Sequence, residues 1–153
     1  LRALHETVKL DYVDAVSMRM LDAIVPKLNE TLQQYLPPAL LGLDDWAEKR
    51  SWRLLHQSAE HVFMTEKHRV IFRCVRRPDE ISFPPDSLPV GMELLDRHKE
   101  IRAAHAVLDT DAALEVRQGI DVDLVGDQLV AIKKDLSQCF ENVVLPYALE
   151  QWK

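Results

Sequence analysis

Three groups of side chains have types and spacing that bear on chemistry. His56, His61 and His68, with Glu60 and Glu66 among them, bracket one short segment. An imidazole beside a carboxylate does general acid and base work when both reach one proton. A site at His56, Glu60 and His61 is therefore the enzymatic reading. His98 and His105 stand seven residues apart, which on a helix puts them on one face about 10 Å apart along the axis. A single metal ion takes histidines three or four residues apart on a helix, and this pair lacks that spacing. As seam residues the two histidines would hydrogen-bond across a helix interface or to a symmetry mate instead. No cofactor and no metal is expected.

The second group is the basic run Lys67, Arg69, Arg73, Arg76 and Arg77. On a strand, Arg69, Arg73 and Arg77 share one face with Ile71 and Val75 between them. Guanidinium groups in a row are spaced to meet phosphates or the carboxylates of a partner. The same charges would also guard a strand edge or pair within the fold. The third group is acidic. Asp109, Asp111, Glu115, Asp121, Asp123 and Asp127 fall within 19 residues, opposed only by Arg117. Asp121, Asp123 and Asp127 are the candidates for meeting a basic partner surface, and aspartates at a helix start also serve the helix itself.

Other chemistries lack their motifs. Four glycines occur, Gly42, Gly91, Gly119 and Gly126, with no spacing that lets backbone cradle a phosphate. No G-x-S-x-G and no S-x-x-K occurs, so nucleophilic serine chemistry has no support. Cys74 and Cys139 stand alone, without metal-ligand spacing, and read as two buried thiols in a reducing compartment.

The 153 residues are 47% hydrophobic and 29% charged, the balance of one globular domain spanning 1–153. No apolar run approaches the roughly 18 residues that cross a bilayer. The start Leu-Arg-Ala-Leu-His-Glu lacks a basic region followed by an apolar stretch, so a cytoplasmic protein is expected. The net charge of −6 argues against an ordinary nucleic-acid binder. It is uneven: residues 1–78 hold 12 Lys/Arg against 10 Asp/Glu, and residues 79–153 hold 7 against 15.

Helical period dominates the pattern. Leu4, Val8, Tyr12, Val16, Met20, Ile24, Leu28 and Leu32 recur in steps of four, which predicts a helix over 2–36 with a kink before Pro26. Asp44 is placed to cap a Trp-containing helix over 43–56. Val62–Met64 and Val70–Val75 flank a polar stretch and predict a β-hairpin, with Ile81–Phe83 as a third strand of the 60–83 region. Leu94, His98, Ile101, His105 and Leu108 form one seam; Val122, Val125, Leu129, Ile132, Leu136, Cys139 and Val143 form another. Their 3,4 stepping predicts helices over 90–108 and 121–145, paired as a helical hairpin across 90–145. Between them, Thr110 or Asp111 would cap a short helix ended by Gly119. The expected fold is α+β and predominantly helical, three long helices in a bundle-like core with a small antiparallel sheet to one side.

The order of elements, with Asp11-Tyr12-Val13, Tyr35-Leu36-Pro37-Pro38 and the position of the hairpin, resembles small accessory proteins of phages and prophages. The resemblance implies an inhibitor directed at a host nucleic-acid-handling or defence machine, and assigns no residue. From the residues themselves, the leading reading is a non-enzymatic adaptor or inhibitor that binds a protein partner, as a homodimer where the helical seams pair. The alternatives are a nucleic-acid-binding module using strand 67–77 and the His/carboxylate enzyme. No membrane partner is expected.

Overall fold

The computed structural model describes residues 12–80 and 102–152. Four strands, β1 (Tyr12–Ile24), β2 (Gln57–Met64), β3 (Arg69–Arg77) and β4 (His105–Gly119), run in the order β1-β4-β3-β2 in one antiparallel sheet. Short helices α1 (Pro38–Leu41) and α2 (Asp44–Glu48) lie between β1 and β2, and α3 (Val122–Val143) and α4 (Pro146–Gln151) follow β4. Among the described residues α3 alone is a long helix. The predominantly helical class, the three long helices and the helical bundle are therefore wrong: the protein is rich in sheet.

The largest error is at the N-terminal end, where residues 12–24 form a strand and not part of a helix over 2–36. Its cause lies in the spacing. A step of four residues returns to the same face of a helix, and because four is even it returns to the same face of a strand as well. Tyr12, Val16, Met20 and Ile24 satisfy both periods, and pairing with β4 decides between them. The expected helix caps Thr110 and Asp111, and Gly119, likewise lie in a strand, β4. Its run from His105 to Thr110 is buried at every position, and a short, fully buried apolar run looks alike in helix and strand. The third strand at Ile81–Phe83, His98 and most of the helix over 90–108 lie outside the described residues.

The chain divides into two compact units. The first comprises residues 1–20, 61–72 and 110–142. Val16, Val70 and Ala112 from three strands meet Val125, Ile132 and Leu136 of α3 in its core, with Leu129 and Leu114 partly buried against them. The 3,4 seam of α3 thus faces sheet rather than another long helix. A helix needs an apolar surface to cover its stripe, and either kind of element supplies one. His68 is buried, and its Nδ1 donates to Asp135 at 2.8 Å. That bond ties the turn between β2 and β3 to α3.

The second unit comprises residues 21–60, 73–109 and 143–153. Its buried side chains include Ile24, Tyr35, Leu36, Cys74, Leu108 and Ala148. Glu30 organises the chain around Tyr35. Its carboxylate accepts from the Tyr35 hydroxyl, from the Tyr147 hydroxyl at 2.6 Å and from the Lys27 amide at 2.8 Å. The Leu145 amide donates to the Tyr35 carbonyl at 2.8 Å, so α4 is fastened by both side chain and backbone. Hydrogen bonds from Tyr147 and Tyr35 hold the Glu30 carboxyl below its usual range. Burial, followed by the bond to Glu30, pushes the Tyr35 phenol up to about 12.

A pH dependence follows. The Tyr35 value is raised on folding, so the stability it contributes is complete below its ordinary value of 10.0 and is lost as pH rises towards 12. Wild-type stability in urea should therefore fall over that alkaline range. Tyr35→Phe should have a flatter alkaline limb; parallel limbs in the two proteins would contradict the assignment.

Both cysteines are free thiols. Cys74 is fully buried and its thiol is pushed up to about 11 by that burial. Cys139 is half-buried and raised by burial as well. Among the described residues no helix is long and apolar enough to cross a membrane.

Candidate functional site

The second unit carries an open groove of about 550 Å³ built around one buried arginine. On β3, Val70, Phe72, Cys74 and Arg76 alternate with half-exposed residues and are all buried. Arg76 therefore points to the buried side, where a guanidinium must have acceptors. Its Nη1 donates to the Leu41 carbonyl at 2.8 Å, Asp44 Oδ1 at 3.0 Å and Gln57 Oε1 at 2.6 Å. Its Nη2 donates to Asp44 Oδ2 at 2.6 Å. This is a two-pronged fork on one carboxylate, the strongest geometry the pair can adopt. Asp44 begins α2 but makes no side-chain cap there; its carboxylate is committed to Arg76.

Gly42 permits the approach. Its φ is +64°, and a Cβ there would lie 2.6 Å from Gln57 Nε2. Only glycine meets both demands, the left-handed backbone and the space. Gln57 Nε2 in turn donates to the Leu40 carbonyl at 3.1 Å.

The helix predicted over 43–56 stops early, and the way it stops creates a surface feature. The Ser51 amide donates to the Glu48 carbonyl and the Trp52 amide to the Ala47 carbonyl, each at 2.9 Å, while Ser51 has a φ of 54°. This is the paired hydrogen bonding of a helix end closed by a left-handed residue. A serine holds the place usually taken by glycine, which hid the stop in the sequence. Such ends bring the residue after the turn against the last helical turns. Here Trp52 lies edge-on to Trp46, ring centroids 4.8 Å apart at 87°. The Arg50 guanidinium stands 4.1 Å over the Trp46 ring. Yet Trp46 is 41% exposed and Trp52 61%, with Leu43 and Leu55 more exposed still.

Asp44, Glu48, Ser51, Trp52, Arg53, Arg76 and Arg77 line the groove beside this pair. A second cavity, of about 530 Å³, is lined by residues 26–33 and shares Leu32, Gln33, Arg76 and Ala104 with the groove.

The residues singled out from sequence fare differently. Arg69 is exposed, whereas Arg73 donates to Glu60 at 2.5 Å and to Asp109 at 3.4 Å. The Glu60 bond is the main reason that the Arg73 guanidinium is held above its usual value. Arg77 lines the groove. Asp121 caps α3, accepting from the Asp123 and Leu124 amides at 3.1 Å each; Asp123 and Asp127 are exposed.

The histidine and carboxylate set is not assembled. Glu60 is held by Arg73, while His61, next to it on β2, points to the opposite face and stacks on Phe63 at 6.1 Å. His56 is exposed on the extended segment before β2. His105 is buried in a strand and donates from Nδ1 to the Ala103 carbonyl at 2.9 Å, so it is not a helix-seam residue. Among the described residues no three His, Cys, Asp or Glu side chains are grouped to hold a metal ion.

Comparison finds no matching family model, no similar curated protein and no similar solved structure. The geometry of the groove and its tryptophans is accordingly the whole basis for a functional reading.

Proposed function

We propose that the chain is a non-enzymatic binding protein, an adaptor or inhibitor, that engages a protein partner through the Trp46–Trp52 surface. One observation carries the reading: two tryptophans fixed against each other by a helix end are left 41% and 61% exposed, with an arginine stacked on one of them. A tryptophan offers a large apolar area, and its cost in water is relieved when a partner covers it. Tryptophan and arginine are also the residue types that most often dominate binding energy at interfaces. The rings are already packed on one another, so little side-chain freedom is lost when a partner arrives.

Affinity capture tests the reading. The tagged full chain is exposed to cell lysate treated with nuclease, beside Trp52→Ala and Trp46→Ala with unchanged melting temperatures. The wild type should retain a stoichiometric protein that the variants bind at least about tenfold more weakly, the loss expected of an interface hot spot. Equal retention by the variants would sink the reading. So would material that vanishes with nuclease, which would instead favour nucleic acid stacked on the same rings.

A further inference from the structure

We propose that the groove beside Trp52 is a carboxylate-binding site, taking a Glu or Asp side chain from an extended, acidic and apolar segment of the partner. The inference rests on the docking reading above and names the chemistry it selects. Three cations line the groove, Arg53, Arg76 and Arg77, against two acids, Asp44 and Glu48. Arg76 and Asp44 neutralise each other through their fork. Arg53 and Arg77 then face Glu48 alone, which leaves one positive charge over.

The Nε atom of Arg77 is covered from solvent and has no hydrogen-bond partner among the described residues. Covered donors normally have partners, so the fold itself leaves the Arg77 guanidinium short of acceptors, which favours an anion beside it. Neither Arg53 nor Arg77 forms a salt bridge with a described residue, whereas Arg73 on the same strand is held by Glu60 and Asp109.

The size of the imbalance selects the ligand. One surplus charge balances one carboxylate. A nucleic-acid strand brings a negative charge with every nucleotide, and repeated contacts to it demand a row of cations. Trp52, 61% exposed at the groove wall, supplies an apolar seat for the residue beside that carboxylate.

Calorimetric titration of the full chain with three probes decides the matter: a blocked octapeptide of alternating Leu and Glu, the same peptide with Gln for Glu, and an eight-residue oligothymidylate. The Glu peptide should bind at least about tenfold more tightly than the Gln peptide, with the preference shrinking as salt is raised. Arg77→Gln should abolish the preference while leaving the weaker Gln-peptide binding in place. Arg53→Gln, at an exposed position, should reduce it in parallel. Equal affinity for the two peptides would overturn the carboxylate site, as would a preference unchanged in both variants. Failure of both peptides to bind, or tighter binding of the oligothymidylate, would overturn it too. The docking reading is judged separately, by capture with Trp52→Ala.

Discussion

Arg76→Met should lower folding stability by about 3 kcal/mol, the lower end of the range for breaking a buried ion pair from one side. The side chains of Arg76 and Asp44 are 6% and 17% exposed. Removing the guanidinium strands the Asp44 carboxylate away from bulk water and takes the donor from Gln57 Oε1 and the Leu41 carbonyl at the same time. The penalty is that of an unpaired charge, so it should be largely relieved by removing the second charge. Arg76→Met combined with Asp44→Leu is expected to recover most of the loss. Urea denaturation of the two variants beside wild type measures this. With a slope of about 1–3 kcal/mol per molar for a small protein, the single variant should unfold at least about 1 M earlier. A single variant within 0.5 M of wild type, taken roughly from the same slopes, would mean that the fork is no more than a surface contact. A double variant as unstable as the single one would mean that the lost packing of the arginine stem, not charge, is what matters.

The second large effect is expected in the first unit. Ile132 is fully buried where α3 meets the sheet, in a cluster with Leu136, Val125 and Val70. Ile132→Ala removes apolar surface and leaves a cavity that the surrounding strands only partly close, at a cost of about 2–5 kcal/mol. Val130, on the same helix but 70% exposed, is the control. Val130→Ala should change stability by less than about 0.5 kcal/mol, in line with other surface positions. Comparable losses in the two variants would show that α3 does not pack on the sheet through the 125–129–132–136 stripe.

The first prediction bears on the functional surface. The Arg76 fork holds Asp44 at the start of α2, and Trp46 on that helix meets Trp52 just beyond its end. Stability at Arg76 and binding at Trp52 are therefore separable by mutation. The exposed ring contributes little to the fold, and the buried guanidinium cannot itself meet a partner without leaving Asp44.

Elements whose apolar pattern fits a single period were legible before any fold was known. In β3, the alternation of Val70, Phe72 and Cys74 with Arg69, Ile71 and Arg73 admits a strand and no helix, and a strand is what forms. In α3, the 3,4 steps from Val122 to Val143 contain odd intervals that would scatter apolar residues over both faces of a strand, so helix alone satisfies them.

Where a pattern fits two periods, long-range pairing makes the choice. Steps of four over Tyr12–Ile24 fit helix and strand equally, and only the hydrogen bonds offered by β4 choose strand. The fate of each charge was likewise undetermined. Arg73, Arg76 and Arg77 are near neighbours of one type, yet one is paired across the strands, one is buried in a fork and one lines the groove with its Nε lacking an acceptor among the described residues. A residue's charge is local, but its partner is set by which distant segment the fold brings within a hydrogen bond's reach. That is why the basic strand was visible in the sequence and the groove was not.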